Sequence, residues 1–464
     1  MTIPLTLADT IVRSFPSRRN LAAALAGVFF LAACSGGSAP PPAPANRAPA
    51  TPAAATTADT QPPSQLVAGR DGMSPAPDPA GLDRIALLVP LTGPSSAIGQ
   101  GLLNAAQMAL FDAADDKFVL QVYDTRGTPD GAAEAAALAV SHGARLILGP
   151  LFAAEAKAVA PQADAAGVKA ISFSTDPSVA GGSVYVMGFL VSEQVRAMVD
   201  YAASRGLSRI AVLAPNTVYG QSVTDTLTTA LPEVGAQLTR VAYFDPTGSD
   251  LEDVVRRLAD FDRRRDALER QRAELAARGD DEVSQLALKR LERLETTGDV
   301  EFDAVFIPEQ GARLAQAASL LSLFDVEPGR VQLLGTMLWN TPGLGREPAL
   351  IGAVYPAPDP VANRDFAMRY RQVYNANPPP LATHGYDAAA LAAVLARSDA
   401  AMPFGADAVT NPVGFAGVDG IFRLGTDGLA QRGFAIMQIS RDGADVIRPA
   451  PTTFAPAQVS LARP

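Results

Sequence analysis

Twice along this chain an apolar run, a glycine-bearing turn and a helical stretch follow one another, and this alternation narrows the possible folds more than any other feature. The first series has its apolar runs at Ile85 to Pro90, Phe118 to Tyr123, Arg145 to Leu148 and Val168 to Ser172. The second has them at Arg209 to Ala214, Ala236 to Tyr243, Ala304 to Ile307 and Val331 to Gly335. Parallel strands need a crossover, and a helix is the usual crossover, so the pattern predicts doubly wound parallel sheets. Two series predict two such α/β lobes. Glycine and proline gather at the strand-to-helix turns, where sheets of this kind place a ligand crevice.

The amino terminus carries an export pattern. Arg13, Arg18 and Arg19 precede an apolar run from Leu21 to Ala33, the length of a signal-peptide core and too short to span a bilayer. The run ends in Leu31-Ala32-Ala33-Cys34, where small residues before the chain's one cysteine suit a signal peptidase pocket. The pattern resembles the bacterial lipobox. That resemblance implies cleavage after residue 33 and a diacylglyceryl lipid on Cys34, while Ser35, in place of the aspartate often found in inner-membrane lipoproteins, favours the outer membrane. Residues 34–80 are Pro, Ala, Thr and Ser with almost no large apolar side chain, a tether without a core. Extended as polyproline II, it reaches on the order of 100 Å from its lipid.

Composition excludes some chemistries. A net charge of −10 disfavours nucleic acid as a partner. One cysteine and two histidines (His142 and His384) cannot assemble a Cys/His zinc site or an internal disulfide. The sequence lacks a Gly-x-Ser-x-Gly elbow, a phosphate loop ending in Gly-Lys-Ser or Gly-Lys-Thr, and His-Glu-x-x-His, so no catalytic residue, metal or cofactor is expected. His384, just before Gly385-Tyr386-Asp387, reads as a turn or capping residue.

Several segments carry a family likeness in serial order: Ile85-Ala86-Leu87-Leu88-Val89-Pro90-Leu91-Thr92-Gly93-Pro94 with Gly99-Gln100-Gly101, Leu148-Gly149-Pro150, Gly385-Tyr386-Asp387-Ala388, and Gly417-Val418-Asp419-Gly420. Together they resemble leucine/isoleucine/valine-type (type I) periplasmic binding proteins over about residues 84–446. With the lipobox, the tether and Phe302 to Glu309, the chain is similar to the penicillin-binding-protein activator (LpoA-like) lipoproteins. The resemblance implies two lobes joined by three chain crossings, placed near Gly188, Gly352 and Gly417. Lobe one then takes 84–188 and 353–417, lobe two takes 189–352 and 418–446, and 447–464 is a Pro-rich tail.

Candidate cleft residues follow from the same likeness and from turn chemistry. Ser95, Ser96 and Gly99 open a helix, where N–H groups and hydroxyls either hold a carboxylate or simply cap. Ser172, Ser174 and Thr175 stand where amino-acid-binding relatives grip the ligand carboxylate, or form another turn. Tyr219 and Trp339 either stack a flat ligand or pack between lobes, and both readings predict partial burial. Two departures disfavour a free amino acid as ligand. Gly149-Pro150-Leu151-Phe152-Ala153 offers no hydroxyl, and Thr336-Met337-Leu338-Trp339 offers no acid to an ammonium.

The segment Asp250 to Arg278 spaces Leu251, Val254, Leu258, Phe261, Leu268 and Leu275 as one long helix, interrupted by Arg265. Val283, Leu286 and Leu294 restart the pattern after Gly279. A charged helical hairpin over 262–300, inserted in lobe two, is therefore expected, either as solvated decoration or as a docking surface with Arg265, Leu268, Leu275, Leu286 and Leu294. The resemblance implies a lipoprotein that activates a peptidoglycan synthase, a penicillin-binding protein. The alternative is the substrate-binding lipoprotein of a branched-chain-amino-acid-type ABC transporter.

Overall fold

The computed structural model describes residues 81–113, 118–278, 281–398 and 402–454. The export signal, Cys34, the tether and residues 455–464 lie outside them. The first lobe begins β1 (Asp83–Val89), α1 (Ser96–Ala113), β2 (Phe118–Asp124), α2 (Pro129–Ser141), β3 (Leu146–Leu148), α3 (Ala153–Ala166), β4 (Lys169–Ser172) and β5 (Val184–Val186). Its sheet is parallel throughout in the order β2-β1-β3-β4-β5. Both faces are covered, which is why β1 reads as an unbroken apolar run rather than an alternating one. Ile85, Leu87 and Val89 face α1, whereas Ala86 and Leu88 face α2 and α3. The helices of that second face approach closely because they present alanines, among them Ala132, Ala136, Ala156 and Ala163.

The second lobe follows with α4 (Val191–Ser204), β6 (Arg209–Pro215), α5 (Val218–Glu233), β7 (Gln237–Phe244), α6 (Leu251–Leu258), α7 (Phe261–Ala277), α8 (Glu282–Leu291), β8 (Ala304–Phe306), α9 (Gly311–Leu323), β9 (Gln332–Leu334) and β10 (Val354–Ala357). The chain then forms α10 (Pro360–Tyr374), α11 (Ala382–Ala396), α12 (Ala406–Val409), β11 (Phe415–Gly417), β12 (Gly420–Leu424), β13 (Ala430–Arg432), β14 (Ala435–Ser440) and β15 (Gly443–Arg448). The second sheet runs β15-β14-β10-β9-β8-β6-β7, parallel except that β14 pairs antiparallel with both β10 and β15. Strands β11 to β13 form a small antiparallel sheet. The expected α/β architecture of two sheets flanked by helices is what the structure shows.

Two of the expected crossings move. The first runs through Gly188, between β5 in one sheet and α4 on the other. The second does not fall at Gly352, because β10 pairs with β9 and β14 in the second sheet; the chain returns to lobe one only after Ala357. The third does not fall at Gly417. Phe422, Leu424 and Ala430 pack in the lobe-one core with Ile85 and Leu102, and Leu429 bridges Val186 at the edge of the first sheet. Residues 418–432 thus stay with lobe one, and the chain crosses near Gly433. Nor does the fold stop at 446, since β15 runs on to Arg448 and the Phe454 ring lies under Arg423 at 4.6 Å.

The segment from Asp250 to Arg278 is two helices, not one. Leu251, Val254, Val255 and Leu258 of α6 are buried in the lobe-two core. Asp260 then adopts a left-handed conformation (φ 51°), which breaks the helical ladder and sets Phe261 edge-on to Phe324 at 5.2 Å. The hairpin of α7 and α8 starts there. Asp281 caps α8 through Ser284 N–H (2.9 Å). Buried Arg264 bolts the hairpin down by donating to the carbonyls of Gly298 (3.1 Å), Ala259 (3.4 Å) and Asp325 (3.2 Å).

Candidate functional site

The strand-to-helix turns after β1, β3 and β4 and those after β6, β8 and β9 are the two rims that such lobes present to a ligand. On the first rim, Ser95 and Ser96 lead into α1, with the Ser95 carbonyl accepting from Ile98 and Gly99 N–H (both 3.1 Å). Gly99 serves packing: a Cβ there would lie 1.9 Å from the Pro90 carbonyl oxygen, so only glycine lets α1 sit on β1. The turn already holds a carboxylate. Asp124, ending β2, accepts from Leu91 N–H (2.8 Å), Thr92 N–H (3.3 Å), Arg126 N–H (2.8 Å) and the Thr92 hydroxyl (2.6 Å). Burial pushes its carboxyl up, but those donors outweigh burial and hold it below the usual range.

Two of the three candidates at the end of β4 are spent within the chain. Ser172 is buried, donates to the Pro150 carbonyl (3.0 Å) and accepts from Ser174 N–H (3.2 Å). Ser174 is buried and accepts from Asp176 N–H (3.0 Å). Thr175 is exposed, and its hydroxyl, like those of Ser95 and Ser96, makes no hydrogen bond among the described residues.

On the second rim the expectation of partial burial fails for Trp339. It is 0% exposed, inside the lobe-two core, with Nε1 donating to the Glu309 carbonyl (3.0 Å). Gly335 makes the room, since a Cβ there would come within 2.2 Å of the indole. Tyr219 is half-buried and donates to Thr336 Oγ1 (2.8 Å); burial pushes its phenol up. The Trp339 ring is therefore closed to a ligand in this arrangement, whereas Tyr219 is partly buried as expected.

Of the hairpin candidates, Leu268, in the middle of α7, is only 1% exposed, so it offers no docking surface. Arg265 is exposed and lies over the Phe261 ring at 5.9 Å. Leu275 is half-buried, while Leu286 and Leu294 are 55% and 46% exposed, joined by Val283 at 77%. Leu294 lies beyond the end of α8 rather than on it.

The densest polar site escaped the sequence reading. His384 is neither a surface turn residue nor a cap; it sits in the first turn of α11 at 0% exposure, with both ring nitrogens lacking a hydrogen-bond partner among the described residues. Its Nδ1 faces Asp419 Oδ2 at 3.7 Å, and that oxygen is also unpartnered. Asp387, one turn on, accepts from Val418 N–H (2.7 Å) and Asp419 N–H (3.5 Å). Arg432 closes the group, donating through Nε and Nη2 to the Met187 carbonyl (3.2 and 2.8 Å) between the rings of Phe189 (4.8 Å) and Phe422 (5.2 Å). Burial, then the neighbouring Asp419 charge, pushes Asp387 up to about 7, while burial and Arg432 drive His384 well below its ordinary value. Asp387 and Asp419 lie in Gly385-Tyr386-Asp387 and Gly417-Val418-Asp419, so the motifs were visible although their meeting was not.

A fold of two lobes with three crossings and a polar hinge defines a binding protein of the periplasmic type. Residues 84–444 match the family model described as periplasmic binding protein. The chain belongs to that family. Among solved structures it is similar to a putative branched-chain amino acid ABC transporter protein from Rhodospirillum rubrum, at 15% identity and TM-score 0.62, covering 79% of this chain and 100% of that one. It is also similar to full-length LpoA from Haemophilus influenzae, at 13% identity and TM-score 0.56, covering 79% of this chain and 59% of that one. An ABC transporter substrate-binding protein from Sphaerobacter thermophilus matches at 16% identity and TM-score 0.54, over 79% and 96%. Among curated proteins, an uncharacterised protein of Rickettsia prowazekii (strain Madrid E) is 24% identical over 180 residues, 38% of this chain and 47% of that protein. Among the described residues no helix is long and apolar enough to cross a membrane.

Proposed function

We propose that the protein is a non-catalytic periplasmic lipoprotein, lipidated at Cys34 and held at the outer membrane, that binds a peptidoglycan synthase of the penicillin-binding-protein class and promotes its activity. The observation that carries this reading is the α7–α8 hairpin, bolted to lobe two by Arg264 and carrying uncovered Val283, Leu286 and Leu294 in a charged surface. Val283 and Leu286, one turn apart on α8, with Leu294 just past its end, suit a groove on a partner protein. The rims support it from the other side: Asp124 occupies donors that a ligand carboxylate would need, and Ser172 and Ser174 are bound internally. Capture of a class A synthase by the full-length chain tests it. Loss of capture in Leu286→Asp and Leu294→Asp is the expected result, and a full-length chain that captures no synthase, in a strain whose deletion leaves wall synthesis normal, refutes it.

The second reading is a solute-binding lipoprotein serving an ABC transporter, and the free hydroxyls of Ser95, Ser96 and Thr175 favour it. A ligand at 100 times its dissociation constant would stabilise the chain by about 2.7 kcal/mol. Thermal shift against amino acids, amides and muropeptides distinguishes the two readings, and no shift across the set removes the second.

A further inference from the structure

Strand β7 is the outer edge of the seven-stranded sheet: among the described residues it pairs with β6 along one side and with no strand along the other. Its Phe244 carbonyl turns inward, accepting from Asn216 N–H just beyond β6 (2.8 Å). Main-chain groups alternate sides along a strand, so the N–H and C=O of Tyr243 and Val241 turn outward, where no described residue bonds them. A row of open main-chain groups is a template for another strand, and proteins ordinarily guard it with charge, proline or a bulge. Here the bulge opposite Ile210 and Ala211 comes before these residues. Arg240 is drawn off to the Arg257 carbonyl (3.3 Å) and to Glu301 (3.1 Å). Val241 to Phe244 are left without a guard.

One face of the open edge is walled by a helix. Arg240 to Tyr243 of β7, with Val254, Arg257 and Leu258 of α6, line a groove of about 400 Å³. Ala242 packs toward the core under α6, so the side chains of Val241 and Tyr243 point to the opposite face, where they are 45% and 36% exposed. The two charged side chains of the groove are both arginines. Arg240 is already engaged, but Arg257 is exposed and its guanidinium has no hydrogen bond or ion pair among the described residues. That charge also argues against a second copy as occupant. Two β7 strands joined antiparallel about a two-fold axis would bring both α6 helices to the same face and turn Arg240 and Arg257 of each copy toward those of the other.

We propose that β7 and α6 form a docking site for an extended acidic segment of a partner protein, which joins the sheet as an additional strand. The segment bonds the main chain of Val241 and Tyr243 and sets β-branched or aromatic side chains against theirs. On the α6 face it lays small apolar side chains over Ala242, Val254 and Leu258 and a carboxylate at Arg257. This surface is separate from Val283, Leu286 and Leu294 of the hairpin, so it stands or falls independently of the synthase reading.

A random-peptide phage library selected on the full chain tests this. Selected peptides are expected to combine Asp or Glu with β-branched residues and to slow hydrogen exchange at the Val241 and Tyr243 N–H groups. They are expected to bind Val241→Pro at least about tenfold more weakly, since that change removes an outward N–H and no bond of the sheet. Arg257→Glu is expected to turn the selection from acidic to basic peptides, and it supplies the reading if Val241→Pro does not fold. Selected peptides without acidic residues, peptides that leave both amides exchanging as before, or a library that yields none overturn the proposal. So does self-association of the chain that Val241→Pro abolishes, because the edge is then covered by a second copy.

Discussion

Beside the hairpin, the Arg256–Asp262 ion pair (2.6 Å) is formed by exposed side chains, and Arg240–Glu301 (3.1 Å) by a half-buried arginine and an exposed glutamate. Near the lobe crossings Arg432, Asp387 and Asp419 form no arginine–carboxylate pair among the described residues, yet each is almost wholly enclosed. The hairpin holds many more charges, but water screens them and any one can be lost cheaply. At the crossings the same residue types cannot be solvated, so each uncompensated charge alters a neighbour's protonation. Exposure, rather than the number of charges, decides which region controls stability and its response to pH.

Four measurements press on that contrast. Arg432→Ala has the largest expected effect, a loss of about 3–5 kcal/mol in urea unfolding, because it leaves the buried Met187 carbonyl without its donors, empties the space between Phe189 and Phe422 and removes the cation nearest two buried carboxylates. A loss below about 1 kcal/mol would mean that the crossings are no more sensitive than the hairpin surface. Leu268→Ala comes next at roughly 2–4 kcal/mol, read by the same unfolding and by proteolysis between residues 262 and 300, since it removes a fully buried side chain of α7. Protection from protease equal to that of the parent chain would show that Arg264 alone secures it.

The third is a dependence on pH. Asp387 has a folded-state pKa of about 7, above the roughly 3.9 of an unfolded chain, so the folded state keeps a proton that the unfolded state releases. Its contribution is present at low pH and is lost as pH rises from about 4 through about 7. Asp387→Asn keeps an oxygen for Val418 N–H but has no proton to lose. Its stability relative to the parent chain should therefore improve from pH 5 to pH 8, by thermal unfolding in matched buffers. His384, whose lowered pKa acts in the opposite direction below about pH 6.5, is common to both chains. The smallest effect belongs to Arg256→Ala: an unfolding midpoint that barely differs from the parent's, and less still in high salt.

Much of the frame was legible because burial on both faces of a parallel sheet leaves an unbroken apolar run, as in Ile85 to Val89. The hairpin was legible in part, because apolar spacing marks helical faces but does not show that Asp260 leaves the helix. The second crossing was misplaced because β10 looks locally like any buried strand, and only its pairing with β14 assigns it to lobe two. Trp339 was misread for a similar reason: an aromatic after a strand marks a cleft or a core equally well until the glycine at 335 is seen to make room for it.

The sequence by itself determined what depends on neighbours along the chain: two strand–helix series, the charged hairpin, and the lack of an acid beyond Gly335 for an ammonium. Tertiary structure alone decided what depends on enclosure. Asp387, Asp419 and Arg432 are ordinary polar residues in their own segments; only the fold encloses them together, because desolvation is a property of the surroundings and not of the side chain.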